Sequence, residues 1–335
     1  MKHTILLIIC ALLPLSRMGA QTFSDHFADS TLRLDYVLAG DNRAQHIFFR
    51  KAICTPRWAG RKSRLGELLL RGNGKVEVRD QASGLLVYAN SFSTLFQEWQ
   101  ATEEATRLQK AFEVSLLVPM PLRRAEVSVS LTDFHGRVVG RLAHTVDPGD
   151  ILIERLSPGD VPYHYVWKGH PGTPAANSGG DDGGKQADSA GKRNFRPTLL
   201  PPDDGADITH CIDLAIVAEG YTRREMGKFY ADCRRVADAL FAHEPFKSLK
   251  NRFNIVAVAS ESAESGPSVP HLGLWRRTPT DTHYDTFYTQ RYLMSQDIHR
   301  IHDLLLGIPY EHVVVLVNSD TYGGGGIFNH LTVAT

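Results

Sequence analysis

Neither sign of charge is in excess: 37 Lys and Arg balance 37 Asp and Glu. The chain therefore carries no overall basic field to hold nucleic acid or an anionic membrane surface. Cysteine is scarce, with four in 335 residues and no C-x-x-C pair. That leaves neither a disulfide framework nor a cysteine zinc site nor a thioredoxin-like redox site to argue from. No segment reaches the run of about 20 apolar residues that spans a bilayer, and no G-x-S-x-G elbow of the serine hydrolases is present. The composition, 42% hydrophobic and 22% charged, excludes a disordered, collagenous or coiled-coil chain. At roughly 100 to 200 residues per domain, the length predicts about two domains.

What is present begins with a leader. A short basic start at Met1-Lys2, an apolar run over residues 5–15 and a small-residue exit at Gly19-Ala20 predict a cleaved signal peptide over residues 1–20 and an exported product. Cys10 would leave with it, so Cys54, Cys211 and Cys233 remain, and the apolar settings of Cys211 and Cys233 predict buried small hydrophobes.

Residues 21–167 show recurrent short alternating runs punctuated by turn residues, the signature of a β-sandwich. Gly72-Asn73-Gly74, between residues 68–71 and 75–79, predicts a hairpin, and residues 102–110 carry the one helical periodicity of this region. Residues 168–207 include Asn177-Ser-Gly-Gly-Asp-Asp-Gly-Gly184 and almost no bulky apolar side chains, which predicts a flexible linker. Beyond it the period changes. A continuous apolar run at 212–218 predicts a strand covered on both faces, Thr222-Arg-Arg-Glu225 is a capping box, and a helix should follow to about His243, burying Phe229, Cys233, Val236, Ala237 and Leu240. Strands at 253–259 and 312–317, with a helix at 295–306 between them, complete a strand, helix, strand order that predicts parallel pairing. The fold class expected is α+β multidomain: a sandwich, a linker, then an incomplete α/β domain over residues 208–335. The sequence stops within the β-prone residues 327–335 with no polar tail, which predicts truncation and a last strand lacking a packing partner.

Three patterns bear on chemistry. Gly323-Gly-Gly-Gly326 follows a strand as a nucleotide loop does, but no lysine and no helix start come after it, so a phosphate site is not supported. Its alternatives are a loop, or a strand edge cleared of side chains so that an extended peptide can pair with the backbone. His299, His302 and Asp303 share one side of the expected helix, within an apolar stripe that makes packing the simpler role than metal binding. His243-Glu244 opens like H-E-x-x-H, but Pro245 and the lack of a second histidine end the match.

Longer blocks carry a resemblance. They are Asp213-Leu-Ala-Ile-Val-Ala-Glu-Gly-Tyr-Thr222, Ala239-Leu-Phe-Ala-His-Glu-Pro-Phe-Lys-Ser-Leu-Lys250, Arg252-Phe-Asn254, Ser265-Gly-Pro-Ser-Val-Pro270, His283-Tyr-Asp-Thr-Phe-Tyr288, Gly307-Ile-Pro-Tyr-Glu-His312 and the stretch 318–327. Together they resemble the IgA peptidases, family sixty-four of the metallopeptidases. Residues 23–167 resemble the family's N-terminal β domain more weakly. The resemblance implies a secreted zinc metallopeptidase acting on a protein or peptide substrate, with zinc held by an H-E-x-x-H helix that would follow Thr335. On this reading the chain itself has no catalytic residue and binds no zinc. The resemblance carries over only a cleft edge, placing Tyr322, Gly323, Gly324, Gly325, Gly326 and Asn329 beside that helix. His283, Tyr284 and Asp285, in the irregular insert over residues 260–285, fit a cleft wall and a packed turn equally well. A non-enzymatic exported binding or adhesion protein, working through its β-sandwich, is the alternative.

Overall fold

The structure, a computed structural model, describes residues 22–157, 159–171 and 207–335. The expected signal segment 1–20 and residues 172–206 of the expected linker lie outside the described residues.

The first half contains strands β1 (Phe27–Gly40), β2 (Gln45–Pro56), β3 (Gly74–Asp80), β4 (Leu86–Phe92), β5 (Lys110–Pro121), β6 (Ala125–Thr132), β7 (Val138–Val146), β8 (Glu154–Arg155) and β9 (Tyr163–Trp167), with helix α1 (Leu95–Trp99) between β4 and β5. The first eight form two four-stranded sheets, β5-β1-β2-β8 and β4-β3-β6-β7. The period-2 pattern drives this: Leu32, Leu34, Tyr36 and Leu38 of β1 share a core with Val127, Val129 and Leu131 of β6. Two local expectations fail. Residues 68–71 form no strand and Leu68, Leu69 and Leu70 are exposed; β3 pairs instead with β4 and β6. The helix expected at 102–110 is replaced by α1 and a single turn at Glu104–Thr106, because Leu95, Phe96 and Trp99 are the residues that reach the core.

The second half contains β10 (Ile212–Glu219), α2 (Met226–Phe241), β11 (Phe253–Val258), α3 (Ile298–Asp303), β12 (His312–Val317), β13 (Gly324–Ile327) and β14 (Leu331–Ala334). Its sheet has the order β13-β14-β12-β10-β11-β9. The pairs β10 with β11, β10 with β12 and β12 with β14 are parallel, while β13 and β9 run antiparallel at the two edges. Thus Tyr163–Trp167, from the end of the first half, completes the second half's sheet. The expected capping box forms, with Glu225 accepting from the Thr222 backbone N–H at 2.9 Å. One face of the sheet packs Ile216, Ile255 and Leu316 against Phe229 and Cys233 of α2. The other packs Val217, Val256 and Val315 against Met294, Ile298 and Ile301, in a core continuous with the sandwich. Contrary to the sequence expectation, the last strand has partners on both sides: β14 lies between β12 and β13, bonded to each. Cys54, Cys211 and Cys233 are free and buried.

Candidate substrate cleft

Because β11 and β12 flank β10, the chain leaves β10 to opposite sides, which opens a crevice beyond the strands' carboxyl ends. Glu219, the last residue of β10, is fully buried there and accepts from the backbone N–H of Thr280 at 2.9 Å and of Thr282 at 3.1 Å. Burial pushes its pKa up, against hydrogen bonds from Thr278, Thr280 and Thr282 that favour the charged form. This carboxylate ties the long insert between β11 and α3 onto the end of the sheet. Gly220 follows with φ of +70°, and a Cβ there would meet the Gly266 backbone at 2.8 Å, so only glycine lets the two segments cross. Asn318, just after β12, donates through Nδ2 to Gly220 O at 3.0 Å and to Glu225 Oε1 at 3.1 Å. Glu225 is also reached by Ser265 Oγ at 2.8 Å. Burial acts to raise its pKa, but the hydrogen bonds from Thr222, Ser265 and Asn318 prevail and hold it at about 2.

Above this frame lies a cavity of about 600 Å³ whose walls include Val269, His271, Arg276, Tyr284, Arg291 and Tyr322. Tyr284 is buried, and its hydroxyl donates to Thr321 O at 2.6 Å, fixing the segment that leads into β13. Asp285 has φ of +60° and accepts from His271 N at 2.9 Å, so this strained corner closes the wall.

The structure brings some of the expected edge residues together and separates others. Tyr322 stands at the cavity rim, 78% exposed. Gly323 is buried, and a Cβ there would overlap the Tyr284 ring. Gly324, Gly325 and Gly326 form the edge strand β13. Gly324 is already engaged on its outer side, donating to Arg291 O at 3.2 Å and accepting from Leu293 N at 3.3 Å. A Cβ on Gly325 would overlap Tyr292 and meet Met294 Cε at 2.8 Å. The glycine run therefore clears room largely for the protein's own rings. Gly326 differs: it is exposed, and two residues beyond Gly324 its N–H and C=O face the same outer side. Asn329 is not at the cleft; its Nδ2 donates to Ser91 O and, at 3.3 Å, to Asn90 Oδ1 of the sandwich.

Among the described residues, the histidine group on α3 does not come together as a metal site. His299 Nε2 lies 3.1 Å from Tyr36 O, His302 Nδ1 lies 2.5 Å from the Tyr310 hydroxyl, and Asp303 accepts from Arg33 Nη1 at 2.6 Å. Of the residues singled out in the insert, Tyr284 lines the cavity, while His283 Nδ1 lies 2.6 Å from Tyr284 O. Nothing in the sequence singles out Arg276 and Arg291, since they are well separated along the chain and no spacing rule links them.

Two family models match the chain: Peptidase M64 N-terminus over residues 22–142 and IgA Peptidase M64 over residues 201–335. No curated protein matches it.

Proposed function

We propose, because the chain belongs to the peptidase M64 family, that residues 207–335 form the substrate-holding wall of an exported zinc endopeptidase. In this reading β13 and Tyr322 align an extended peptide. The observation that carries it is the outward, exposed backbone of Gly326 on the edge strand that follows Tyr322 of the cavity rim. An edge of that kind pairs with an extended chain through main-chain hydrogen bonds, each contributing about 0.5–1.5 kcal/mol. Holding the peptide straight restricts where its scissile bond can sit, which is the entropic part of catalysis.

Zinc is the metal the family implies, and the described residues do not fit it. Among them no three His, Cys, Asp or Glu side chains come together as a metal site. His271 is held by Asp285 at 2.8 Å and His283 by Tyr284 O. The ligands and general base belong, on this proposal, to residues other than those described. No helix among the described residues is long and apolar enough to cross a membrane. The purified chain is expected to retain no stoichiometric zinc by mass spectrometry and to leave casein intact. Tight one-to-one zinc retention together with cleavage would overturn the proposal.

A further inference from the structure

The cavity beside β13 has an uneven charge. Among the described residues its lining contains Arg276 and Arg291 and no Asp or Glu. Neither guanidinium forms an ion pair with a carboxylate among the described residues. Glu264, which senses the charge of Arg276, is already bound by the Arg277 backbone N–H at 2.7 Å and lies 3.6 Å from Arg277 Nε. His271, the third basic group of the wall, is matched by Asp285. Two arginines in the lining of a concave site, with no ion-pair partner among the described residues, favour an anion, and the planar fork of arginine suits a carboxylate. The rim is apolar: Leu272, Leu274 and Tyr322 are 63%, 42% and 78% exposed. Exposed apolar side chains around arginine are the composition of a peptide-contact surface.

We propose that this cavity is an anionic subsite of the cleft, which receives a substrate carboxylate on Arg276 and Arg291. The proposal rests on the peptide-cleft reading above and gives it a substrate class. The carboxylate has two sources, an acidic side chain or a free chain terminus. The test uses the full chain and isothermal titration with acetylated, amidated alanine hexapeptides carrying one glutamate at each position in turn. Their glutamine counterparts and an unamidated alanine hexapeptide complete the set.

The expected result is that one glutamate peptide, or the unamidated peptide, binds at least about tenfold tighter than its neutral counterpart. That preference should weaken with salt and disappear in Arg276→Gln and Arg291→Gln, which sit at the surface and leave the fold intact by circular dichroism. Equal binding of charged and neutral peptides overturns the subsite and leaves the cleft reading standing. A preference that survives both substitutions also overturns it. Absence of binding by every peptide at millimolar concentration overturns the subsite and the cleft reading together.

Discussion

Asp213 shows what a single side chain in an apolar run can conceal. The sequence reads 212–218 as a nearly continuous hydrophobic strand, and the strand forms, yet Asp213 is fully buried in it, its Oδ2 without a partner among the described residues. Its Oδ1 accepts from Asn254 Nδ2 at 2.8 Å. Burial, opposed by that hydrogen bond and reinforced by Glu311 and Asp207, pushes the carboxyl pKa up to about 8. A raised acid binds its proton more tightly in the folded state than in the unfolded one. Stability from this group is therefore full below the unfolded value near 4 and declines as pH rises toward about 8. Asp213→Asn removes the titration while nearly keeping the shape. Its stability relative to the parent should rise by on the order of 2–4 kcal/mol between pH 4 and pH 8, read from urea midpoints at both. Whatever the amide itself costs is common to the two pH values, so parallel pH profiles would refute this account.

Element by element, local signals are legible where one segment contains its own reason. The capping box at Thr222 and the buried stripe of α2 are examples, as is the strand His312–Val317. They fail where a distant partner decides. Gly72-Asn73-Gly74 carries good turn chemistry, but β3 finds better neighbours in β4 and β6. The glycines of β13 read, in sequence, as clearance for a peptide. Gly323, just before the strand, and the strand's first two glycines instead answer close neighbours of their own chain: Tyr284 at Gly323, Val333 O at Gly324 and Tyr292 at Gly325, which no periodicity encodes. Tyr292 is further held by its hydroxyl donating to Glu98 of the sandwich, so its ring cannot easily retreat. Gly325→Ala should therefore destabilise by about 1–3 kcal/mol, whereas Gly326→Ala, where a Cβ would meet Thr332 Oγ1 at an ordinary 3.8 Å, should cost little. Thermal melts of the two variants check this; equal losses would count against the packing.

Across the whole molecule, the division into a sandwich and an α/β half is visible in the change of period, but their union is not. Arg33 and Asp35 lie on the face of β1 away from the sandwich core and are buried, because α3 covers them. Arg33 donates to Asp35 at 2.7 Å, to Asp303 at 2.6 Å and to His299 O at 2.8 Å. His299 N donates to Glu113 of β5 at 2.9 Å. These contacts explain why β1 alternates only partly in sequence: both faces are covered. Removing one partner of such a buried pair costs about 3–5 kcal/mol, so Arg33→Met should lower the stability of both halves together in a single transition followed by circular dichroism. Two separated transitions in the parent protein would contradict the joined core.

Hydrogen exchange of the purified chain, with and without a saturating acetylated, amidated hexapeptide, reads out whether β13 receives an extended peptide. With the peptide bound, exchange is expected to slow in residues 323–327. Unchanged exchange there, with protection arising elsewhere or nowhere, would contradict it.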